Sequence, residues 1–366
     1  MSKKLVPAIR FKEFTNDWFQ HTVENIGKLH TGKLDTHQAL NYGKYNFYTS
    51  GLNVYKIDSW LIDDEAVIIP GSGASIGVVH YYKGKFNLNQ RTFALITNIN
   101  TMFTFYSFVR NFKTSISKLP LVGAIPNILR NDILKEIIYV PCTQEQNKIS
   151  NVFNYLDVSI SLLKRKLEKL ENIKNTLLNK MFANEKNLKP DIRFKEFTND
   201  WFQDKVENLI LQRIKSSLLI SETIKFGNFP VYSSTGFFGY TNQKYIDSNF
   251  IIMSVDGSVG TMKIIPKNSW FISTNNAFIP KNINAIYFLY YILNNIDFNK
   301  YIVGTTIKHL YYENFKSVKI YQTDIEEQIK ISKLFKNLDA NLSLLKRKIE
   351  KMENIKQTLL NKMFVQ

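Results

Sequence analysis

The feature that most constrains the fold is an internal duplication. The twelve residues IRFKEFTNDWFQ occur at 9–20 and occur again, unchanged, at 192–203. A second pair of segments, SLLKRKLEKLENIKNTLLNKMF at 161–182 and SLLKRKIEKMENIKQTLLNKMF at 343–364, is nearly identical. The regions between these segments agree only in short stretches. This order predicts two equivalent structural units, each with the twelve-residue segment (the IRFKEF motif), a variable region and a helix.

The near-identical segments have the spacing of long helices that pair with each other. Their apolar residues alternate at intervals of four and three, the a/d pattern of a coiled-coil seam, and both copies place lysine (Lys174, Lys356) where one apolar residue is due. Because a variable region lies between them in the chain, we expect antiparallel pairing within one chain; pairing between two chains is the alternative. The predicted seam consists of Leu156, Ile160, Leu163, Leu167, Leu170, Leu177, Leu338, Leu342, Leu345, Ile349, Met352 and Leu359.

The variable regions have the pattern of mixed α/β domains. Runs rich in Ile, Val, Phe and Tyr predict strands at 66–70, 77–82, 250–254 and 261–265, and helical spacing appears at 103–112 and 286–296. The predicted fold is therefore α/β mixed, with two globular domains separated by two long helices that form an intramolecular, pseudo-twofold symmetric, antiparallel coiled coil. The predicted segments are a first domain at 1–142, a first helix at 143–184, a second domain at 185–324 and a second helix at 325–366.

The charge of the chain favours an anionic partner. Lys and Arg number 48 against 31 acidic residues, a net charge of +17, which is typical of proteins that bind nucleic acid or acidic membranes; a generally basic surface is the alternative. One cysteine, Cys142, excludes an internal disulfide framework. Neither a signal peptide nor a run of 18 apolar residues is found, so we expect no membrane association and a cytoplasmic location.

Segments that resemble catalytic or cofactor-binding motifs lack residues or spacings that those motifs require. GKLHTGKL at 27–34 has Leu34 where a P-loop needs Ser or Thr for Mg²⁺, and the second copy has no glycine there. PGSGASIG at 70–77 lacks the spacing of a dinucleotide fingerprint and favours a tight turn between strands. Metal-ligand spacing is absent around His21, His30, His37, His80 and His309. We therefore expect no catalytic, cofactor-binding or metal-binding residues in this chain.

The duplicated order of motifs resembles the specificity subunit of type I restriction–modification enzymes. The resemblance covers essentially the whole chain. Besides the IRFKEF motif and the VGTTIKHL segment, it is carried by Glu145-Gln146 with Ile149 and Leu156-Asp157 before the first helix, and by Glu327-Gln328 with Ile331 and Leu338-Asp339 before the second. Each piece is weakly specific, but the duplicated order of all of them is highly specific.

The resemblance implies a non-catalytic subunit that recognises double-stranded DNA. It implies two target-recognition domains, each contacting one half of a bipartite DNA sequence. The half-sites are separated by a gap of base pairs that is not recognised, and the helices set the length of this gap. It implies docking to two adenine-methyltransferase subunits and, through them, to restriction subunits that translocate DNA. S-adenosylmethionine, ATP and Mg²⁺ would belong to those partner subunits, and the complete complex would be an adenine-specific DNA methyltransferase and site-specific deoxyribonuclease. A methyltransferase-targeting module without a restriction partner, a coiled-coil scaffold that binds only protein, and an enzyme with an unrecognised site are the alternatives.

Two sets of residues are candidates for these contacts. The aromatic residues of the two IRFKEF motifs are candidates for partner docking, with core packing as the equally weighted alternative: Phe11, Phe14, Trp18, Phe194, Phe197 and Trp201. Polar residues on aligned loops are candidates for DNA contact, with satisfaction of turn backbones as the alternative: Thr49, Ser50, Ser72, Ser75, Asn89, Gln90, Arg91, Ser233, Ser234, Asp256, Ser258, Asn275, Asn276, Thr305, Thr306 and Lys308.

Overall fold

The computed structural model describes residues 5–73, 76–116, 127–306 and 308–365, without the side chains of 113–116. The chain divides into two compact units. Unit 1 comprises Met1–Lys164 with Arg347–Gln366, and unit 2 comprises Arg165–Lys346. Each long helix is therefore shared between both units. The sequence instead predicts four consecutive segments, in which each helix is a segment of its own, and that four-part division stays a prediction.

Unit 1 is built around one mixed sheet with the strand order β2-β7-β5-β6-β3-β4, in which only β3 and β6 pair in parallel; a separate antiparallel pair joins β1 and β8. Its elements are β1 (Phe19–Thr22), α1 (Val23–Ile26), β2 (Gly27–Thr31), β3 (Tyr45–Tyr48), β4 (Val54–Ile57), β5 (Ile62–Pro70), β6 (His80–Leu88), β7 (Thr92–Thr97), α2 (Thr101–Ile116), α3 (Arg130–Leu134), β8 (Ile137–Val140) and the first part of α4 (Thr143–Lys180).

Unit 2 contains a sheet of order β10-β16-β13-β14, a sheet of order β12-β11-β15, and the pairs β17–β18 and β9–β19. Its elements are β9 (Phe202–Lys205), α5 (Val206–Leu209), β10 (Ile210–Lys215), β11 (Phe229–Tyr232), β12 (Phe237–Thr241), β13 (Phe250–Ser254), β14 (Met262–Ile265), β15 (Trp270–Phe271), β16 (Asn275–Pro280), α6 (Ile286–Asn294), β17 (Ile302–Val303), β18 (His309–Leu310), α7 (Tyr312–Phe315), β19 (Lys319–Gln322) and the first part of α8 (Ile325–Lys362).

The central strand of each unit is buried on both faces. Successive side chains of a strand point to opposite faces, and the β-branched sequences of β5 and β13 suit this environment. In unit 1, Val67 and Ile69 pack towards α2, whereas Ala66 and Ile68 pack into a cluster on the other face. In unit 2, Ile251 and Met253 pack with α6, and Phe250 and Ile252 face the opposite cluster. The two central strands thus have the same arrangement of faces.

Within each unit, part of one long helix packs antiparallel to part of the other. In unit 1, Asp157 pairs with Lys356 (Oδ1–Nζ 2.5 Å) and Lys164 with Glu353 (Nζ–Oε1 2.6 Å), so positions rise along α4 as they fall along α8. In unit 2 the corresponding pairs are Lys174–Asp339 at 2.6 Å and Lys346–Glu171 at 2.8 Å. The predicted mixed α/β class and antiparallel pairing of the two helices within one chain are confirmed.

The lysine that interrupts each predicted seam belongs to a partly buried polar network. In unit 1, Asp157 accepts hydrogen bonds from Lys356 and from the hydroxyl of Tyr106 (2.8 Å), and the Lys356 Nζ lies 5.7 Å from the Tyr106 ring centroid. Unit 2 repeats this network with Asp339, Lys174 and Tyr291. Burial, reinforced by the carboxylate, raises the pKa of both tyrosines, so each phenol remains a donor. The lysine and tyrosine together satisfy the carboxylate at this position.

The IRFKEF motif joins the ends of the two helices in each unit. In unit 1, Arg10 forms two hydrogen bonds of 2.7 Å with Glu145 in the first turn of α4, while the Ile9 amide donates to the carbonyl of Lys362 in the last turn of α8. In unit 2, Arg193 bonds Glu327 at the start of α8, and the Ile192 amide donates to Lys180 at the end of α4. Identical contacts at both sites explain why the motif is repeated unchanged.

Among the described residues, no helix combines the length and apolarity needed to cross a bilayer.

Candidate nucleic-acid interface

In both units, the polar candidate loops meet at the end of the central strand. In unit 1, β5 ends at Pro70, and Ser72 then forms a backbone bridge with Asn127, while the Ile128 amide donates to the carbonyl of Gly71 at 2.7 Å. In unit 2, β13 ends at Ser254. Asp256 then bridges to His309, and the Leu310 amide donates to the carbonyl of Val255 at 2.9 Å. We call these two contacts the bridge pairs: Ser72–Asn127 and Asp256–His309.

Four of the predicted DNA contacts of unit 1, namely Ser50, Ser72, Asn89 and Arg91, form one hydrogen-bonded cluster. The hydroxyl of Ser72 donates to the Ser50 hydroxyl at 3.1 Å, and the latter donates to the carbonyl of Arg91 at 3.3 Å. The side-chain oxygen of Asn89 accepts from the amide of Arg91 at 3.2 Å, which shapes the turn before β7. Ser72 and Asn89 are buried, as is Thr49, whereas Gln90 and Arg91 are exposed. Exposure therefore favours Gln90 and Arg91 as the contacting side chains.

Apart from the half-buried Asp256, the predicted contacts of unit 2 divide into a buried and an exposed group. Asn275 is 1% exposed and its side-chain oxygen accepts from the amide of Ser234 at 3.2 Å, which ties two loops together. The buried group is completed by Ser233 and Asn276, and the exposed group is Ser258, Thr305, Thr306 and Lys308. The last three lie between the paired strands β17 and β18, and β18 begins at His309 of the bridge pair. Base contact by the members of both groups stays a prediction, as does that of Ser75, which lies outside the described residues.

A polar cleft of about 220 Å³ lies beside the bridge pair of unit 2. Arg213 and Lys215 of β10 line it together with Asp256, Asn276 and Tyr311. Glu313 also lines the cleft, 3.5 Å from Arg213, so the concave surface offers two cations, two carboxylates, an amide and an aromatic ring. Such a mixture suits a ligand that has anionic groups beside planar, hydrogen-bonding edges.

Two residues of the bridge pairs are missing from the sequence-based candidates. His309 directly follows the candidate Lys308, and its Nδ1 lies 2.5 Å from Oδ1 of Asp256. Asn127 is exposed and follows the aligned loop of unit 1. Both residues lie in the short aligned segments LVGAIPNIL and IVGTTIKHL, so position in the alignment was the available signal.

The aromatic residues of the IRFKEF motifs fall into two environments. Trp18 and Trp201 are 2% and 1% exposed and belong to the cores of their units. Phe11 packs edge-on against Phe14, with centroids 6.3 Å apart, and both are half-buried; the corresponding pair Phe194 and Phe197 does the same at 6.4 Å. Lysines cover these rings, with the Nζ of Lys148 5.6 Å from the Phe11 centroid. Partner docking by the motif stays a prediction, and the tryptophans serve the core.

The predicted seam positions lie on the packed sides of α4 and α8. All twelve side chains are buried or half-buried. By contrast, Leu162 and Leu344, adjacent to the seam in sequence, are 58% and 56% exposed. The helices therefore present one face to their partners and a largely charged face to solvent.

The segment that resembles a P-loop has a different structure. Gly27–Thr31 forms β2, and its residues pair with β7 from Gly27 opposite Thr97 to Thr31 opposite Phe93. A strand whose amides are committed to a ladder cannot cradle a phosphate as a glycine-rich loop does. Over the described ranges, no group of three or more His, Cys, Asp or Glu side chains is arranged to hold a metal ion.

Known proteins share this duplicated architecture. A family model described as the type I restriction modification DNA specificity domain matches residues 15–172 and again 173–354. The type I restriction enzyme EcoDI specificity subunit of Escherichia coli is 33% identical over 158 residues, which are 43% of this chain and 35% of that subunit. Thus the match spans about a third of the relative's length.

A solved structure extends the similarity of fold to the whole chain. The crystal structure of a type I restriction-modification system S subunit from M. genitalium superposes with a TM-score of 0.77, covering 99% of both chains at 20% identity. At that level of identity the superposition establishes a common fold. The family model, in turn, matches both repeats and most of the chain. The chain belongs to the family of type I restriction–modification specificity subunits.

Proposed function

We propose that each unit contacts one half of a bipartite sequence in double-stranded DNA. The observation that carries this proposal is that an identical frame holds different polar surfaces in the two units. The Arg–Glu pairs and the Tyr–Asp–Lys networks recur residue for residue, whereas the bridge pairs and their neighbouring loops differ. Two different surfaces on equivalent frames suit two half-sites of different sequence.

The net charge supports a polyanionic ligand. At +17, the chain would attract the phosphate backbone, which supplies affinity without sequence preference. Sequence preference would come from side chains that contact base edges. The exposed residues Gln90, Arg91 and Lys308 are suited to that role, because Arg and Lys pair with guanine and Gln pairs with adenine.

The proposed partners are two adenine-methyltransferase subunits and, through them, restriction subunits. Support comes from the EcoDI relative, which is named as part of a type I restriction enzyme. Equivalent exposed surfaces on the two IRFKEF motifs, including Phe19 and Phe202 at 69% and 50% exposure, would give two copies of one partner equivalent docking sites. In this proposal the chain itself is non-catalytic and cytoplasmic, and S-adenosylmethionine, ATP and Mg²⁺ act in the partner subunits.

Methylation mapping tests this function. The chain would be co-expressed with a methyltransferase subunit with which it forms a complex, in a host that lacks adenine methylation, and methylated adenines would be mapped across the genome. A bipartite motif with a fixed gap is the expected result. Methylation without a bipartite motif, or a stable complex that methylates nothing, would contradict the proposal and leave a protein-binding scaffold as the better description. Adding the restriction subunit separates a nuclease complex from a methyltransferase-targeting module.

A further inference from the structure

We infer that the bridge pairs are equivalent positions for base recognition: His309, held by Asp256, determines one base pair of one half-site, and the exposed Asn127, bridged to the buried Ser72, determines one base pair of the other. This inference rests on the proposed function and identifies where in each unit specificity is set. It requires that the two pairs be structurally equivalent, that the pair of unit 2 be held in a fixed geometry, and that its free atoms suit a base edge.

The faces of the central strands establish the equivalence. Because strand side chains alternate between faces, shifting an alignment by one residue would exchange the two faces. In each unit, the helix-side core is the cluster on the face of the central strand that packs against α2 or α6. Val67 of unit 1 and Ile251 of unit 2 both face this core. Counting forward five residues from each leads to Ser72 and to Asp256. Matching the strands by sequence similarity alone, VIIPGSG with FIIMSVD, pairs Val67 with Phe250, which faces the opposite cluster.

Backbone contacts on the partner segment give the same register. The amides of Ile128 and Leu310 donate to the carbonyls that directly precede Ser72 and Asp256. Ile128 and Leu310 are 2% and 1% exposed and both enter the helix-side core. Asn127 and His309, each one residue earlier, therefore occupy the same place.

The residues that directly follow Ser72 and Asp256 also agree. Gly73 and Gly257 come directly after Ser72 and Asp256, and both have φ in the left-handed region, at 84° and 77°. Glycine adopts this conformation without the steric cost that other residues incur. The backbone at the bridge and at the glycine that follows it thus agrees between the units, and the side chains of the pair are what differ.

The imidazole of His309 is held in a fixed orientation. Its Nδ1 bonds Asp256 on one side, and its ring stacks on Tyr311, with centroids 5.9 Å apart and planes at 15°. The His309 and Asp256 side chains remain 36% and 39% exposed. A group that is already oriented loses little conformational entropy on binding, which is the requirement for a specific contact. Lys215 lines the adjacent cleft and is the cation available there to a phosphate, whereas Arg213 is paired with Glu313.

The chemistry of the free atoms indicates which base edge would be contacted. When the Nδ1 proton of the neutral ring is donated to Asp256, Nε2 is left as an acceptor, and the second carboxylate oxygen is another. Acceptors in the major groove pair with the amino groups of cytosine or adenine. In unit 1, the exposed amide of Asn127 offers a donor and an acceptor, the combination that pairs with adenine. Different pairs in one frame would give the half-sites different sequences.

Two variants, His309→Ala and Asn127→Ala, test the inference in the co-expressed methyltransferase complex. Each should lower discrimination at one base pair of a different half-site by about 10- to 100-fold, while the other half-site and the gap are unchanged. Each variant controls for the other, because retention of the unaffected half-site shows that the complex is intact. The readout is the set of methylated sequences and the fraction of each that is methylated.

The outcomes separate the inference from the function on which it rests. If the unaltered chain yields a bipartite motif and both variants yield that same motif, the bridge pairs do not read bases and the inference is wrong. If the unaltered chain yields no bipartite motif, the proposed function is wrong, and the inference that rests on it is wrong as well. If His309→Ala abolishes methylation altogether, the polar His309→Asn variant replaces it, and an unchanged motif in that variant overturns the inference.

Discussion

The ion pair between Arg10 and Glu145 joins the IRFKEF motif of unit 1 to the first turn of α4. Glu145 is 1% exposed, and the guanidinium beside it supplies two charge-assisted hydrogen bonds. In Arg10→Leu, the carboxylate stays buried without its cation, so we expect the free energy of unfolding to fall by about 3 kcal/mol. Denaturant unfolding of the purified chain, followed by tryptophan fluorescence because Trp18 lies in the same unit, measures the loss.

Two further variants serve as comparisons for Arg10→Leu. Arg193→Leu removes the corresponding cation of unit 2 and should cost as much, since Glu327 is equally buried. Lys148→Ala removes an ion pair with Glu13 in which both side chains are about half exposed, together with the contact of its ammonium with the Phe11 ring, and the loss should be clearly smaller than for Arg10→Leu. Similar losses for Arg10→Leu and Lys148→Ala would mean that the buried pair has no special role.

Arg91 is the exposed cation of the candidate cluster in unit 1. Its side chain can be removed without loss of the contacts that its backbone makes. Among the described residues, its contacts within the cluster are made by its backbone, with Asn89 and Ser50. Arg91→Ala should therefore leave the stability of the fold within about 0.5 kcal/mol. We expect it to relax one half-site of the methylated motif while leaving the other intact. Methylation mapping of the variant complex decides this, and an unchanged motif would remove Arg91 from the contacting residues.

At the scale of elements, the seam of the long helices separates buried from exposed leucines that are close in sequence. Leu342 is 7% exposed and Leu344 is 56% exposed, and both belong to the part of α8 that lies in unit 2. Leu342→Ala should destabilise the unit by about 2–4 kcal/mol through lost burial and the cavity that remains. Leu344→Ala should change the unfolding free energy by less than about 0.5 kcal/mol. Equal effects in urea unfolding would show that the helix packs through a different face.

The helices were predictable from the sequence because their periodicity is local. The heptad spacing indicated α4 and α8, and the short apolar runs indicated β5, β13 and β14. The polar networks were not predictable, because Tyr106, Asp157 and Lys356 are distant in sequence and meet only through the fold. Identity between the repeats marked Asp157 and Lys356 as shared residues, and the reason for it became clear only from their contacts.

The candidate interface was predictable by region and less so by residue. Loops aligned between the repeats do converge at the ends of the central strands, as the bridge pairs demonstrate. The sequence nevertheless matches the strands one residue out of register, since Val67 aligns with Phe250 by similarity and with Ile251 by the face it occupies. His309 and Asn127 were not among the sequence-based candidates, although both lie in the aligned segments LVGAIPNIL and IVGTTIKHL. Alternation of strand faces is a tertiary property that local similarity does not record.

At the scale of the whole molecule, constant and variable parts have separate tasks. The contacts repeated in both units hold the helix ends together, through Arg10 and Arg193, and the domains onto the helices, through Tyr106 and Tyr291. The parts that differ lie at the strand ends, where they do not contribute to these contacts. A change in the variable surface can therefore alter recognition while the frame keeps its stability.

The net charge of +17 leads to a prediction for the intact chain. If the chain makes about 6–10 phosphate contacts, its affinity for duplex DNA without a target sequence should fall by about 10³–10⁵ between about 50 and 200 mM salt. Lys215→Ala, which removes a cation that lines the cleft of unit 2, should lessen the slope of log affinity against log salt by about one. Fluorescence anisotropy with a labelled duplex measures both quantities. Affinity that does not depend on salt would favour the protein-binding scaffold, because counterion release necessarily accompanies phosphate binding.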